Sequence, residues 1–289
     1  MAANAPAAGR RLRGLLRLFR FELPFAAGSC VLLGQVLALG ARPAVATMAL
    51  GFAAIFCVSA TALILNDYFD VETDRVNAPH RPLPSGDVPP RDALMLSVAV
   101  ALAGLAASAA LGAVAFVTAV VIWMIGVLYN WRFKRAGVLG NLMVAVSVGM
   151  TFIFGGITVG RPLSVHAWWF GAIAFLMDLG EEIAADAMDA EGDTLIGSSS
   201  LAILYGRAVA LRVSTGIFGA LVLVSVVPFL LRLAEPVYLA PIAIMDVVTL
   251  YAAIRLLDAR LANPRGHIRA IYLSGLAAVV IFLVIRLTR

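Results

Sequence analysis

Of the 17 acidic residues in this 289-residue chain, eleven fall in two stretches. The first holds Asp67, Asp70, Glu72 and Asp74, and the second holds Asp178, Glu181, Glu182, Asp186, Asp189, Glu191 and Asp193. Asp67, Asp70 and Asp74 match Asp186, Asp189 and Asp193, each pair displaced by 119 residues, which reads as an internal repeat with diverged surroundings. Intervals of three and four put carboxylates on one side of a helical turn, so each stretch presents a cluster of oxygen ligands. Such a cluster repels itself unless cations neutralise it, and hard oxygen ligands shared with a polyphosphate suit Mg2+. One cluster alone reads equally well as a solvated helix end. Two clusters with the same spacing favour one shared metal-diphosphate site.

Basic residues complete this chemistry. The segment from Arg75 to Gly86, Arg-Val-Asn-Ala-Pro-His-Arg-Pro-Leu-Pro-Ser-Gly, is rich in Pro and Gly and too polar to enter lipid, so it reads as a loop beside the first cluster. Arg75 and Arg81 have the forked geometry that grips diphosphate oxygens, although both also fit a topology signal. A second basic group, Arg132, Lys134 and Arg135, fits either purpose. Asp178 shares a helical stripe with Glu182 two turns before Asp186, where it serves either an acceptor or proton path or a buried polar partner. Asp246 poses the same question alone. His80 reads as a surface residue.

The elements that position these groups are membrane spans. Hydrophobic residues make up 62% of the chain and charged residues 13%, against about 25% charged in a soluble domain. Apolar runs of about 20 residues, enough to cross a hydrocarbon core of roughly 30 Å, can be drawn nine times. They cover 21–40, 44–65, 92–109, 112–129, 138–158, 166–186, 208–231, 237–257 and 268–287, the third and fourth separated only by Ala110 and Leu111. With a cytoplasmic N-terminus, 17 of the 22 basic residues lie inside, leaving Arg42, Arg161, Arg232, Arg286 and Arg289 outside. Dropping any one span destroys that bias. Both acidic stretches then end spans that reach the cytoplasmic face. The net charge of +5 describes orientation and contact with anionic lipid, not nucleic-acid binding. Residues 9–22 read as an amphipathic interfacial helix, with Arg10, Arg13, Arg17 and Arg20 opposite Leu12, Leu15, Leu16 and Phe19. Cys30 and Cys57 read as small apolar residues rather than a disulfide or metal pair.

The residues also carry a resemblance. Asn66-Asp67-Tyr68-Phe69-Asp70-Val71-Glu72-Thr73-Asp74 matches the NDxxDxxxD signature of the UbiA prenyltransferase superfamily, and Arg81-Pro82-Leu83-Pro84-Ser85-Gly86 matches its RPxPSG loop. Asp186-Ala-Met-Asp189-Ala-Glu-Gly192-Asp193 is similar to its DxxDxxGD motif, while Tyr129, Lys134, Arg135, Gly140 and Asn141 are similar to its middle loop and following helix. The wording is most similar to the archaeal-type geranylgeranylglyceryl phosphate geranylgeranyltransferases.

The resemblance implies an all-α fold, a single UbiA-like domain over 1–289 of about nine transmembrane helices around a lipid-accessible chamber. It places cytoplasmic Asp-motif loops at 66–91 and 187–207, in a prokaryotic cytoplasmic membrane. It implies Mg2+, two ions, held by Asn66, Asp70 and Asp74 and by Asp186, Asp189 and Asp193. Arg75, Arg81, Lys134 and Arg135 then bind a polyprenyl diphosphate, with Glu182 as a further substrate contact. Tyr68, Tyr129 and Asn130 stabilise the allylic carbocation, Trp123 reads first as packing within its span and second as a further such group, and Asp67 either orients or deprotonates the acceptor or joins the metal ligands. That acceptor is lipophilic, a quinone-ring precursor or a lipid alcohol. Similar proteins often carry basic residues where Glu181 and Ala185 stand and near Ser198 and Ser199, which argues against an anionic acceptor and leaves a UbiA-type terpene cyclase as the alternative. An ion-coupled transporter would not need the RPLPSG loop. A CDP-alcohol phosphotransferase would need a DGxxAR element that the sequence lacks.

Overall fold

The structure, a computed structural model, describes residues 7–195, 197–232 and 234–288, leaving aside the side chains at 7, 8, 77, 191–193 and 195. Its helices are α1 (Ala7–Leu18), α2 (Glu22–Leu39), α3 (Val45–Phe69), α4 (Val71–Asn77), α5 (Pro90–Ala109) and α6 (Ala113–Trp131). They continue with α7 (Val138–Thr158), α8 (Val165–Leu195), α9 (Leu201–Tyr205), α10 (Arg207–Leu230), α11 (Leu239–Leu256) and α12 (Pro264–Thr288). Among the described residues there is no strand, so the fold is all-α.

Eight of these helices are long and apolar enough to cross a membrane: α2, α3, α5, α6, α7, α10, α11 with the turn before it, and α12. The remaining expected span is α8. Its 31 residues reach about 46 Å at 1.5 Å per residue, more than a bilayer core requires. Asp178, Glu181 and Glu182 lie within it, however, and set its composition apart from the other eight. No proline interrupts α8, so residues 187–195, expected in a loop, continue the helix. Residues 66–91 are likewise more regular than expected, because α3 runs to Phe69 and α4 follows at once, leaving 78–89 irregular. Between α5 and α6 the chain reverses within three residues, and Gly112 supplies the positive φ of 113° that the reversal needs.

The contacts divide the chain into two compact units. The first runs to Gly28 and takes in Val45–Trp131; the second comprises Ser29–Ala44 and the chain from Arg132 onward. In the first unit α3 packs on α5 and α6, with α1 laid across α3 and α5. A Cβ on Gly104 would stand 2.9 Å from the Ala54 carbonyl oxygen, so the bare glycine lets α5 approach the α3 backbone. Leu18 of α1 is buried with Leu83 and Val88 of the 78–89 loop against Ile64 and Ala93. Each of those aliphatic side chains gains roughly 1.5–3 kcal/mol over exposure to water, which fastens the loop to the helices below.

In the second unit α8 is central and packs on α7, α10 and α12, with α9 beside it. Gly149 and Gly171 mark the α7–α8 crossing: a Cβ on either would stand within 3 Å of the other's carbonyl oxygen. Pro228 inside α10 cannot donate to the carbonyl four residues back, and the Trp169 indole N–H takes that Val224 oxygen at 2.8 Å.

Candidate active site

The first acidic motif straddles a helix break. Asn66 and Asp67 lie in the last turn of α3, Asp70 stands at the junction just before α4, and Asp74 lies within α4. Two cations hold these acids. Arg81, from the loop, donates to both oxygens of Asp74, at 2.8 and 2.6 Å, and its guanidinium also lies 3.6 Å from Asp67. Arg20 pairs with Asp67, whose side chain is 3% exposed. A φ of 43° at Arg20 turns the chain sharply between α1 and α2. Arg17 donates to the His80 carbonyl at 3.0 Å and Arg11 pairs with Asp92, so three arginines from one short segment tie down the loop and its motif.

Asn66 donates to the Asn130 amide oxygen at 3.2 Å, which turns its own oxygen away as the available ligand. Asn130 in turn donates to the carbonyls of Ala62 and Gly126, at 3.0 and 2.9 Å. Here Asn130 positions Asn66 across α3 and α6. Tyr68 packs in the apolar cluster beneath the loop, edge-on to Phe69 with 5.4 Å between ring centroids. Tyr129 is half-buried on α6, and the buried indole N–H of Trp123 has no hydrogen-bond partner among the described residues. Arg75 points to the surface, where it pairs with Glu72 at 2.8 Å.

The second motif lies on the unbroken helix α8. Asn141 of α7 donates to one oxygen of Asp186 at 2.9 Å, and Asp189 pairs with Arg265 at the exposed start of α12. Asp193 lies outside the described side chains. Glu182 lies within electrostatic reach of Asp186 and Lys134, while one oxygen of Asp178 is buried without a hydrogen-bond partner among the described residues. Lys134 and Arg135 stand on a short 3-10 turn, and the backbone and hydroxyl of Ser199 both donate to the Arg135 carbonyl at 3.0 Å. Gly137 follows with a φ of 55°, where a Cβ would collide with the Ser199 carbonyl.

Within neither unit, among the described residues, do three or more His, Cys, Asp or Glu side chains come together as a metal cage. The donor chemistry nonetheless fits Mg2+. Every predicted ligand offers oxygen, and arginines and amides hold the acids in the positions that a cation would neutralise. Sequence reasoning missed Arg20 and the positioning role of Asn130. The only signal for Arg20 is that it is the last cation before the first span.

Transmembrane helices that carry two acidic, oxygen-rich motifs, one of them clasped by an arginine loop, define a polytopic membrane enzyme. The chain belongs to the UbiA prenyltransferase family, whose profile matches residues 27–271, and it is an integral membrane protein that transfers prenyl groups. It is 39% identical to the digeranylgeranylglyceryl phosphate synthase of Methanopyrus kandleri over 201 residues, 69% of this chain and 72% of that one. It is 31% identical to the Pyrococcus abyssi protein of the same name over 279 residues, 96% of this chain and 99% of that one. A solved structure concerning digeranylgeranylglyceryl phosphate synthase in membranes superposes with a TM-score of 0.76 at 28% identity, covering 94% of this chain and 98% of that one. A UbiA homolog from Archaeoglobus fulgidus bound to GPP and Mg2+ shares the fold, with a TM-score of 0.72 at 20% identity over 96% of this chain and 100% of that one.

Proposed function

We propose that this protein moves a polyprenyl group from its diphosphate to a lipophilic alcohol, using Mg2+, at the cytoplasmic face of a prokaryotic membrane. The observation that supports this reading best is the two-oxygen grip of Arg81 on Asp74, which joins the arginine of the loop to an acid of the first motif. The presence of GPP and Mg2+ in the Archaeoglobus fulgidus homolog supports the donor and the metal. Asn66, Asp70 and Asp74 in one unit and Asp186, Asp189 and Asp193 in the other would hold two ions. When bound, Mg2+ supplies positive charge to the departing diphosphate.

The chain's own groups do the rest. Arg81 exchanges the Asp74 carboxylate for phosphate oxygens when donor binds, and Lys134 adds a second cation to the leaving group. Arg75 and Arg135 act more weakly, since Arg75 already neutralises Glu72 at the surface. Tyr68 and Tyr129 offer ring faces to the allylic cation. Asp67 keeps Arg20 and Arg81 in place rather than acting on the acceptor, because both guanidiniums already claim it.

The names of the relatives support a lipid alcohol bearing a glyceryl phosphate as acceptor. Glu181 and Ala185 favour a second reading, in which the acceptor is a neutral lipid alcohol or phenol, or is absent as in a cyclase. Both readings are tested by incubating purified protein with labelled geranylgeranyl diphosphate, Mg2+ and either geranylgeranylglyceryl phosphate or a phosphate-free lipid extract. Ether product from the phosphate acceptor supports the first reading. Product from the extract alone, or hydrocarbon with no acceptor, supports the second, and no diphosphate release under any condition sinks both.

A further inference from the structure

The outer surface of α1 is divided in a way that a soluble helix would not need. Gly14, Leu15 and Leu18 face the protein, with Leu18 fully buried and no room for a Cβ on Gly14 beside Val88. Leu12 and Leu16 share a second arc and are 60% and 49% exposed. Arg10, Arg13 and Arg17 share a third, and among the described residues Arg10 and Arg13 make no ion pair. The span α2 begins four residues after α1 ends, and Phe21 and Phe25 at its start are half exposed. The sharp turn at Arg20 keeps α1 from continuing that span. A helix joined so closely to the start of a span must lie at the membrane surface, with its exposed leucines toward the acyl chains and its free arginines among the headgroups.

We infer that the free face of α1 binds anionic lipid headgroups, and that this binding holds the 78–89 loop over the first acidic motif. The coupling runs through contacts that the same helix makes with the loop and with α5, one of them from Arg17 on the basic arc itself. Arg17 holds the His80 carbonyl, Arg11 holds Asp92 at the start of α5, and Leu18 is packed with Leu83 and Val88. Whatever fixes α1 to the membrane therefore fixes the loop that carries Arg81. An arginine near an anionic surface strengthens partition roughly fivefold, so Arg10 and Arg13 together supply about thirtyfold. The inference needs no substrate and stands apart from the prenyl-transfer assay.

The test is amide hydrogen exchange of the full chain in nanodiscs of phosphatidylcholine alone or mixed with phosphatidylglycerol. Exchange in α1 and in residues 78–89 should slow together in the anionic discs. The double variant Arg10→Gln/Arg13→Gln should lose that protection by about thirtyfold while exchanging like wild type in neutral discs. Leu12→Gln/Leu16→Gln should weaken protection in both lipids. Equal exchange in the two lipids would overturn lipid binding, as would equal protection from inorganic phosphate added to neutral discs. Protection of α1 without the 78–89 loop would overturn the coupling.

Discussion

The two acidic motifs share one spacing and differ in nearly everything else. The first is broken by the α3–α4 junction at Asp70, and its acids Asp67 and Asp74 are buried under arginines from the α1–α2 turn and the loop. The second rides an unbroken helix, with Asp189 half exposed against a more exposed Arg265 and, deeper in the same helix, acids that pair with no arginine among the described residues. Equal spacing therefore does not mean equal electrostatics. A buried acid held by two cations is pre-oriented at the cost of desolvation, whereas an exposed pair is screened and adaptable. The first motif is held rigid, and under the proposed function Arg81 would have to release Asp74 before phosphate took its place. The second is built to accept charge as it arrives.

The sharpest test of functional equivalence removes one acid from each. Asp70→Ala and Asp189→Ala should each lower kcat by about a thousandfold or more, roughly 4 kcal/mol, if both motifs act on the same diphosphate. Steady-state diphosphate release checks this, with unchanged thermal unfolding as the control for folding. Activity retained in either variant would leave only one motif with a metal role.

Next in size is the separation of the two loop arginines. Arg81→Ala should lower kcat/KM about a hundredfold, with partial recovery in Arg81→Lys, while Arg75→Ala should change it less than about threefold. Titrating donor at fixed Mg2+ reads both. Equal losses would mean that Arg75 leaves Glu72 to join the substrate, and the first motif would lose its preformed character.

How much of this was legible in sequence depends on what fixes each feature. That the chain is built of apolar membrane-spanning helices follows from composition alone, because hydrocarbon excludes nearly everything else, whereas α3 and α8 run past the ends expected for their spans. The oxygen-rich motifs were legible for the same reason: clustered acids in an apolar chain stand out. Which face of α1 meets protein was not legible, since Leu12 and Leu18 look alike until packing buries one and exposes the other. Nor could spacing show that Asp70 stands at the junction before a new helix while Asp189 continues an old one. Arg20 read as one more interfacial cation because its partner, Asp67, lies 47 residues away.

The two ion pairs themselves give the last contrast. Arg20→Ala strips a buried carboxylate of one of its two cations and should cost about 2 kcal/mol of stability, short of the 3–5 of a fully buried pair because Arg20 is partly exposed. Thermal unfolding in detergent measures that loss, and an unchanged midpoint would mean that Arg81 alone suffices for Asp67.

Arg265→Ala removes the corresponding cation from Asp189, and there the expectation reverses. With side chains 76% and 50% exposed, the pair contributes no more than about 0.5 kcal/mol, less still at high salt, so the unfolding midpoint should not move. Turnover should likewise fall less than about twofold if Arg265 merely screens Asp189. A tenfold or larger fall in kcat/KM with stability intact would show that Arg265, like Arg81, trades its carboxylate for phosphate oxygens. The second motif would then carry its own diphosphate arginine, and the asymmetry drawn between the two motifs would hold for their burial but not for their chemistry.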